Sequence, residues 1–342
     1  MRLLIVTQVV DRTDPVLGFF HGWLTELATR FEHLEVICLY EGIHDLPSNV
    51  RVHSLGKEQG KHSRVSYAAR FLWLAWKLRH EYDAVFVHMN QEYLLIGGWL
   101  WRLLGKPMYL WRNHYAGSGF TDIAALWCEK VFCTSKHSYT ARYHKTVLMP
   151  VGIDTDRFYQ DEHAVRTAKS ILFLARMSPA KRPHLLVEAL GTLIGKGVSF
   201  TSSIYGSPTE NDVGYYENLK HQVEREGLHD RVRFYPGVAN EKVAGIFRAH
   251  DIVVNCSPSG MYDKTLFEAA ASGCRVIAVS EDWKEVAGEA LSFEDADTLA
   301  ERLAQLLTAP ADEVAMTRRS LAALAADQSL SRLADQLVKE LA

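Results

Sequence analysis

No apolar run in this 342-residue chain reaches the roughly eighteen residues that a membrane-crossing helix needs, so no segment reads as a transmembrane span. Cysteine is scarce. The five present (Cys38, Cys128, Cys133, Cys256 and Cys274) form no C-x-x-C pair and no other metal-ligand spacing. Several lie in apolar, strand-like runs, which is the usage of a reducing compartment. An excess of one charge is also missing. Lys and Arg number 38 against 41 Asp and Glu, a net charge of -3, which makes no electrostatic case for nucleic acid. The apolar start at residues 3–10 is too short for a signal core plus cleavage site and reads as a first strand, so a cytoplasmic location is expected. The loop after it lacks G-x-G-x-x-G, leaving a dinucleotide pyrophosphate site there unsupported.

What is present is a repeated strand-then-helix rhythm. Hydrophobic content of 48% and charged content of 23% are those of a soluble globular protein, with length for two domains. In the first half, strands are expected over 2–10, 34–40, 50–55, 84–88, 107–111, 130–134 and 147–150, with helices over 19–30 and 92–104. The second half repeats the pattern. It predicts strands over 170–175, 199–205, 232–235, 252–254 and 275–279, and helices over 182–196, 215–226 and 240–249. After residue 297 the chain is Ala- and Leu-rich and helical. This alternation implies an α/β chain of two doubly wound, Rossmann-like domains with a joint near 152–168.

The most informative stretch is 251–278: a buried strand, a Ser/Pro/Gly turn, a short helix, a stop at Gly273 and another buried strand. Ligands of parallel sheets sit beyond the carboxyl ends of strands, and a helix N-terminus offers free N–H groups to a phosphate. Glu268, early in that helix, is placed to grip sugar hydroxyls or is an ordinary surface residue. Arg176 and Lys181, between a strand end and a helix start, can converge on an anion or form a solvated loop pair. His114 follows the strand at 107–111, where a lone histidine is equally a structural residue.

In their order and spacing these pieces resemble the retaining glycosyltransferases of the GT-B fold, glycosyltransferase family 4, over nearly the whole chain. The resemblance rests on residues 150–158, on Arg176 to Lys181, and on 251–278. It implies an acceptor-binding domain over 1–160, a nucleotide-sugar-binding domain over 161–325 facing it across a central cleft, and a helix over 326–342 packing back on the first. Arg176 and Lys181 would hold the donor diphosphate and stabilise the leaving charge. Glu268 would bind the ribose, Gly237 and Val238 would meet the base, and His114 would lie near the transferred sugar. Gly18 would let backbone approach donor and acceptor, and the turn Gly260, Met261, Tyr262, Asp263, Lys264 and Thr265 would line the donor site. The implied reaction is retaining transfer from a UDP- or GDP-sugar to a glycan, lipid-linked or small-molecule acceptor, without a metal or cofactor and with no protein nucleophile.

Gly260 departs from the pattern, because the family has a glutamate eight residues before the position of Glu268. Asp263 could cap the helix or share the sugar contact. Asp154 and Asp156 have the D-x-D form of metal-dependent transferases but fall in the interdomain joint, where a structural role is expected. Residues 61–80 carry Lys61, Arg64, Arg70, Lys77 and Arg79 among Tyr67, Phe71, Leu72, Trp73 and Trp76 with no acid, and 98–104 add Trp99 and Trp101. Such a helix either covers the first sheet or makes peripheral contact with an anionic membrane. A nucleotide-sugar epimerase and a non-catalytic nucleotide-sugar binder remain alternatives.

Overall fold

The computed structural model describes residues 1–14, 16–60, 62–260 and 263–341. Met261 and Tyr262, both expected at the donor turn, lie outside the described residues. The chain divides into two compact units, one formed by residues 1–152 with the chain from Leu330 onward, the other by Ile153–Ser329.

The first unit carries seven parallel strands: β1 (Arg2–Val10), β2 (His33–Glu41), β3 (Val50–Ser54), β4 (Ala84–His88), β5 (Met108–Trp111), β6 (Lys130–Cys133) and β7 (Thr146–Leu148). Their spatial order is β3-β2-β1-β4-β5-β6-β7. Burial on both faces is why the inner strands read as continuous apolar runs. Leu3, Ile5 and Phe86 face one core with Phe20 and Trp23 of the Phe19–Ala28 helix. Leu4, Val6 and Val85 face the other, with Phe71 and Trp101 of the Arg64–Lys77 and Glu92–Leu103 helices. A helix at Gly119–Trp127 was not foreseen. It turns the small Thr121, Ala124 and Ala125 inward, with Trp127 part-buried at its end, and leaves Phe120, Ile123 and Leu126 exposed, so its pattern carries little core signal.

The last helix, Leu330–Leu341, joins the first core through Leu333, Leu337 and Leu341 at helical spacing. Arg30 meets Asp335 at 2.7 Å and Lys130 meets Glu340 at 3.0 Å along its polar side.

The second unit holds β8 (Ser170–Leu174), β9 (Thr201–Tyr205), β10 (Val232–Tyr235), β11 (Ile252–Asn255) and β12 (Arg275–Ala278), in the order β10-β9-β8-β11-β12, all parallel. At the start of β11 and β12, buried Asp251 accepts from Arg275 at 2.7 Å and from Arg318 at 2.8 Å. That network ties together the amino-terminal ends of β11 and β12. Ligands of open parallel sheets sit at the opposite, carboxyl edge.

Candidate functional site

The strand order of the second unit reverses between β8 and β11, the position at which open α/β sheets form a binding crevice. The chain leaving β8 carries Arg176 and Lys181; the chain leaving β11 carries Ser257 to Thr265. The first of these segments is stitched to its neighbours. Ala175 N–H donates to the Tyr205 carbonyl (3.1 Å), Met177 N–H to Ser207 (3.2 Å), and Gly206 N–H to Tyr235 (3.0 Å). A Cβ on Gly206 would overlap the carbonyl oxygen of Ala175, so only glycine lets β9 end this close to the Arg176 segment.

Lys181 crosses to the other segment. Its ammonium donates to Asp263 Oδ2 at 2.8 Å and to Ser257 Oγ at 2.9 Å. Asp263 Oδ2 also accepts from Ser257 Oγ (3.1 Å) and Asn255 Nδ2 (3.2 Å), while Oδ1 accepts from Thr265 Oγ1 (3.0 Å) and caps the Lys264–Ala271 helix through Thr265 N–H. Burial alone would raise the Asp263 carboxyl, but Lys181 and these donors outweigh it and hold it at about 2. Asp263 is thus the N-cap, and also the counter-ion of Lys181. Arg176 is different: it is exposed and makes no hydrogen bond or ion pair among the described residues. The two cations expected to act alike therefore stand in different states, one neutralised and one open.

Glu268 lies one turn further along the helix and is 6% exposed, so the expectation of a possible surface residue gives way to a buried carboxyl. Burial raises its pKa against the pull of Lys264 and Arg157. Burial likewise lowers Lys264 to about 8, against the favourable charges of Glu268 and Asp154. Asp154 Oδ1 accepts from the N–H groups of Asp156 (3.1 Å) and Arg157 (3.2 Å), so the D-x-D tripeptide forms a capped turn.

Gly260 sits at φ +85°, where an L side chain is strained, and its N–H donates to buried Asp282 Oδ2 at 2.9 Å. The glutamate of the family pattern would not fit this backbone without cost. Gly237 N–H donates to Ser207 Oγ (2.9 Å) just beyond β10, with Val238 half-buried beside it. The rings of Tyr205 and Tyr235 stack at 4.4 Å along the same edge.

In the first unit, Gly18 precedes the Phe19–Ala28 helix, and a Cβ there would lie 2.5 Å from the Asp14 carbonyl. Its glycine is thus already required by the loop's own fold. His114 follows β5 half-buried, with Nδ1 accepting from Ala116 N–H at 2.9 Å and its ring stacked on Tyr115 at 4.6 Å. A cavity of about 430 Å³ opens beside the carboxyl end of β1, lined by Gln8, Leu39, Tyr67, Phe71, Asn90 and Tyr93 among others. Sequence reasoning missed this cavity, together with Asn255, Ser257 and Gly206. The polar Asn255 ending an apolar strand, with Ser257 just beyond it, was the available signal.

These features define the GT-B class of fold, two doubly wound α/β units in one chain. The structure is similar to HepE of Anabaena in complex with UDP and glucose (TM-score 0.80, 18% identity, covering 100% of this chain and 99% of that one). It is also similar to the sucrose-phosphate synthase of Thermosynechococcus elongatus (TM-score 0.74, 16% identity, 99% and 98% covered). At these identities the likeness establishes the fold. Residues 168–309 match the family model described as glycosyl transferases group 1. A D-inositol 3-phosphate glycosyltransferase of Streptomyces griseus is 34% identical over 113 residues, 32% of this chain and 24% of its own. One from Mycolicibacterium paratuberculosis is 29% identical over 201 residues, 55% and 45% respectively. The chain spans less than half the length of these two relatives.

Proposed function

We propose that this protein is a glycosyltransferase that takes a sugar from a nucleotide-diphosphate-sugar, a UDP- or GDP-sugar, with retention and without a metal. The observation that carries the reading is Lys181 paired with Asp263 at the amino end of the Lys264–Ala271 helix, at the strand-order reversal, with Arg176 open on the same segment as Lys181. An exposed guanidinium and an ammonium at the carboxyl edge of the sheet, where a helix begins, together suit a diphosphate. Glu268, one turn deeper, suits the ribose hydroxyls, and Gly237 with Val238 suits the base. The match of residues 168–309 and the UDP-containing relative of the same fold support this donor class.

In the reaction, the bond from the sugar's anomeric carbon to the diphosphate oxygen breaks as the acceptor oxygen bonds to that carbon on the same face. The acceptor's proton leaves with the phosphate. Arg176 and Lys181 stabilise the charge gathering on the departing diphosphate, and His114 is assigned near the transferred sugar. Lys181 must loosen from Asp263 to do this, so the resting pair acts as a counter-ion that the diphosphate displaces. The acceptor, a glycan, lipid-linked or small molecule, is assigned to the first unit, where the cavity beside β1 joins aromatic walls to the amides of Gln8 and Asn90.

The test is thermal unfolding against UDP, GDP, ADP and their sugar conjugates. Ligand at one hundred times its dissociation constant adds about 2.7 kcal/mol of stability. A selective shift names the base. No shift with any nucleotide overturns the donor site and the transferase reading with it.

A further inference from the structure

Three helices of the first unit each carry two apolar faces, and only one of the two is used by the core. In the Arg64–Lys77 helix, Phe71, Leu74 and Ala75 are buried, while Val65, Trp73 and Trp76 point outward, Trp73 with 56% of its surface exposed. In the Glu92–Leu103 helix, Trp101 is buried, whereas Trp99 and Leu103, one turn apart, are not, Leu103 being 78% exposed. The Gly119–Trp127 helix exposes Phe120, Ile123 and Leu126 at helical spacing.

The three helices adjoin. Gly97 has no Cβ to meet Phe71, and Gly98 none to meet the Trp127 indole at 3.1 Å, so the middle helix packs tightly between the other two. Tryptophan and leucine exposed over three neighbouring helices exceed the scattered apolar residues of an ordinary surface.

The charge on this face has one dominant sign. Lys77 and Arg102 are exposed on the helices, and the guanidinium of Arg79 lies 4.3 Å from the Trp76 ring. Lys77 lies 4.8 Å from the ring of Trp73, and Arg102 lies 6.0 Å from Trp127. The helices' acids are Glu92, in the first turn of the middle helix, and Asp122, which is already bound by Arg142 at 2.5 Å. Indoles flanked by cations suit the headgroup layer of a bilayer, where the ring has an apolar depth to enter and the cation an anionic phosphate to meet.

From these positions we infer that the outer face of the three helices docks on an anionic lipid surface. Trp73, Trp76, Trp99 and Leu103 enter the interface, and Lys77, Arg79 and Arg102 hold the phosphates. No helix among the described residues is long and apolar enough to cross a membrane, so the contact is peripheral.

The test is co-sedimentation of the full chain with vesicles of phosphatidylglycerol and phosphatidylcholine, against phosphatidylcholine alone. The expected result is partition onto the anionic vesicles, weakened by about 1 M salt, where the screening length falls to about 3 Å. Trp73→Ser with Trp99→Ser, and separately Lys77→Glu with Arg102→Glu, should each reduce partition about tenfold. Both pairs are exposed, so unchanged thermal midpoints verify the fold. Absence of partition, equal partition onto neutral vesicles, or variants that convert a dimer to a monomer without altering partition would each overturn the inference. The last outcome would make the face a contact between copies of the chain.

Discussion

Asp263→Asn is the substitution that tests the site most directly, because it removes one charge and little volume. In the native protein this carboxylate is held by Lys181 at 2.8 Å and by Ser257, Asn255 and Thr265, with 17% of the side chain exposed. A carboxyl held at about 2 rather than its ordinary 3.8 contributes about 2 kcal/mol to the second unit at neutral pH. Because the folded value is the lower one, this stability is present above about pH 4 and is lost as the pH falls toward 2. The asparagine variant should therefore unfold about 4–8 °C lower at pH 7. It should also lose that part of the acid-dependent decline. Binding should change in the opposite direction: with Lys181 released, UDP has no internal carboxylate to displace and should bind more tightly. Urea unfolding from pH 7 to 3, with calorimetric titration of UDP, reads both effects. Stability unchanged within about 0.5 kcal/mol, or a UDP affinity that falls with Lys181 intact, would refute the counter-ion argument.

Three further outcomes follow from the structure, two at this site and one in the first unit. Arg176→Ala, an exposed residue, should weaken nucleoside-diphosphate binding about 10- to 100-fold with an unchanged melting midpoint, whereas Lys181→Ala should weaken binding and also lower the midpoint by stranding Asp263. Titration calorimetry beside thermal melts separates the two, and unchanged affinity in both removes the site assignment. Gly206→Ala should lower both stability and UDP affinity, since its methyl would displace the Ala175 carbonyl and with it the Arg176 segment; a variant equal to wild type in both assays would refute this. Glu35 is fully buried on β2 and accepts from His33 at 2.8 Å and His53 at 2.5 Å. Burial raises its pKa, but the two histidines outweigh this and lower it, so its contribution is lost as the pH falls below the ordinary carboxylate range. Glu35→Gln should cost about 1–3 kcal/mol at pH 7 and flatten the acid limb of the stability profile, as chemical denaturation would show.

The alternation of strands and helices was legible because a parallel sheet covered on both faces demands uninterrupted apolar strands. Residues 3–6 and 84–87 are fully buried and read that way without a structure. The cap at Asp263 and the turn at Gly260 were equally readable, because their chemistry is local. The helix at Gly119–Trp127 was not, since alanine on its core side and large apolar residues on its outer side reverse the usual pattern. Sequence placed Arg176 and Lys181 beyond one strand but could not tell them apart. Only the crossover that sets β11 beside β8 brings Asp263 and Ser257 to Lys181 and leaves Arg176 open. It also could not decide whether the tryptophans of residues 64–103 face the sheet or the solvent, because a helix with two apolar faces offers both to either side. Tertiary packing settled it: Phe71 and Trp101 fill the core, and Trp73, Trp76 and Trp99 remain outside. Local chemistry was thus fixed by the order of residues, while the pairing of charges and the choice of buried face were fixed by which elements the tertiary structure brought side by side.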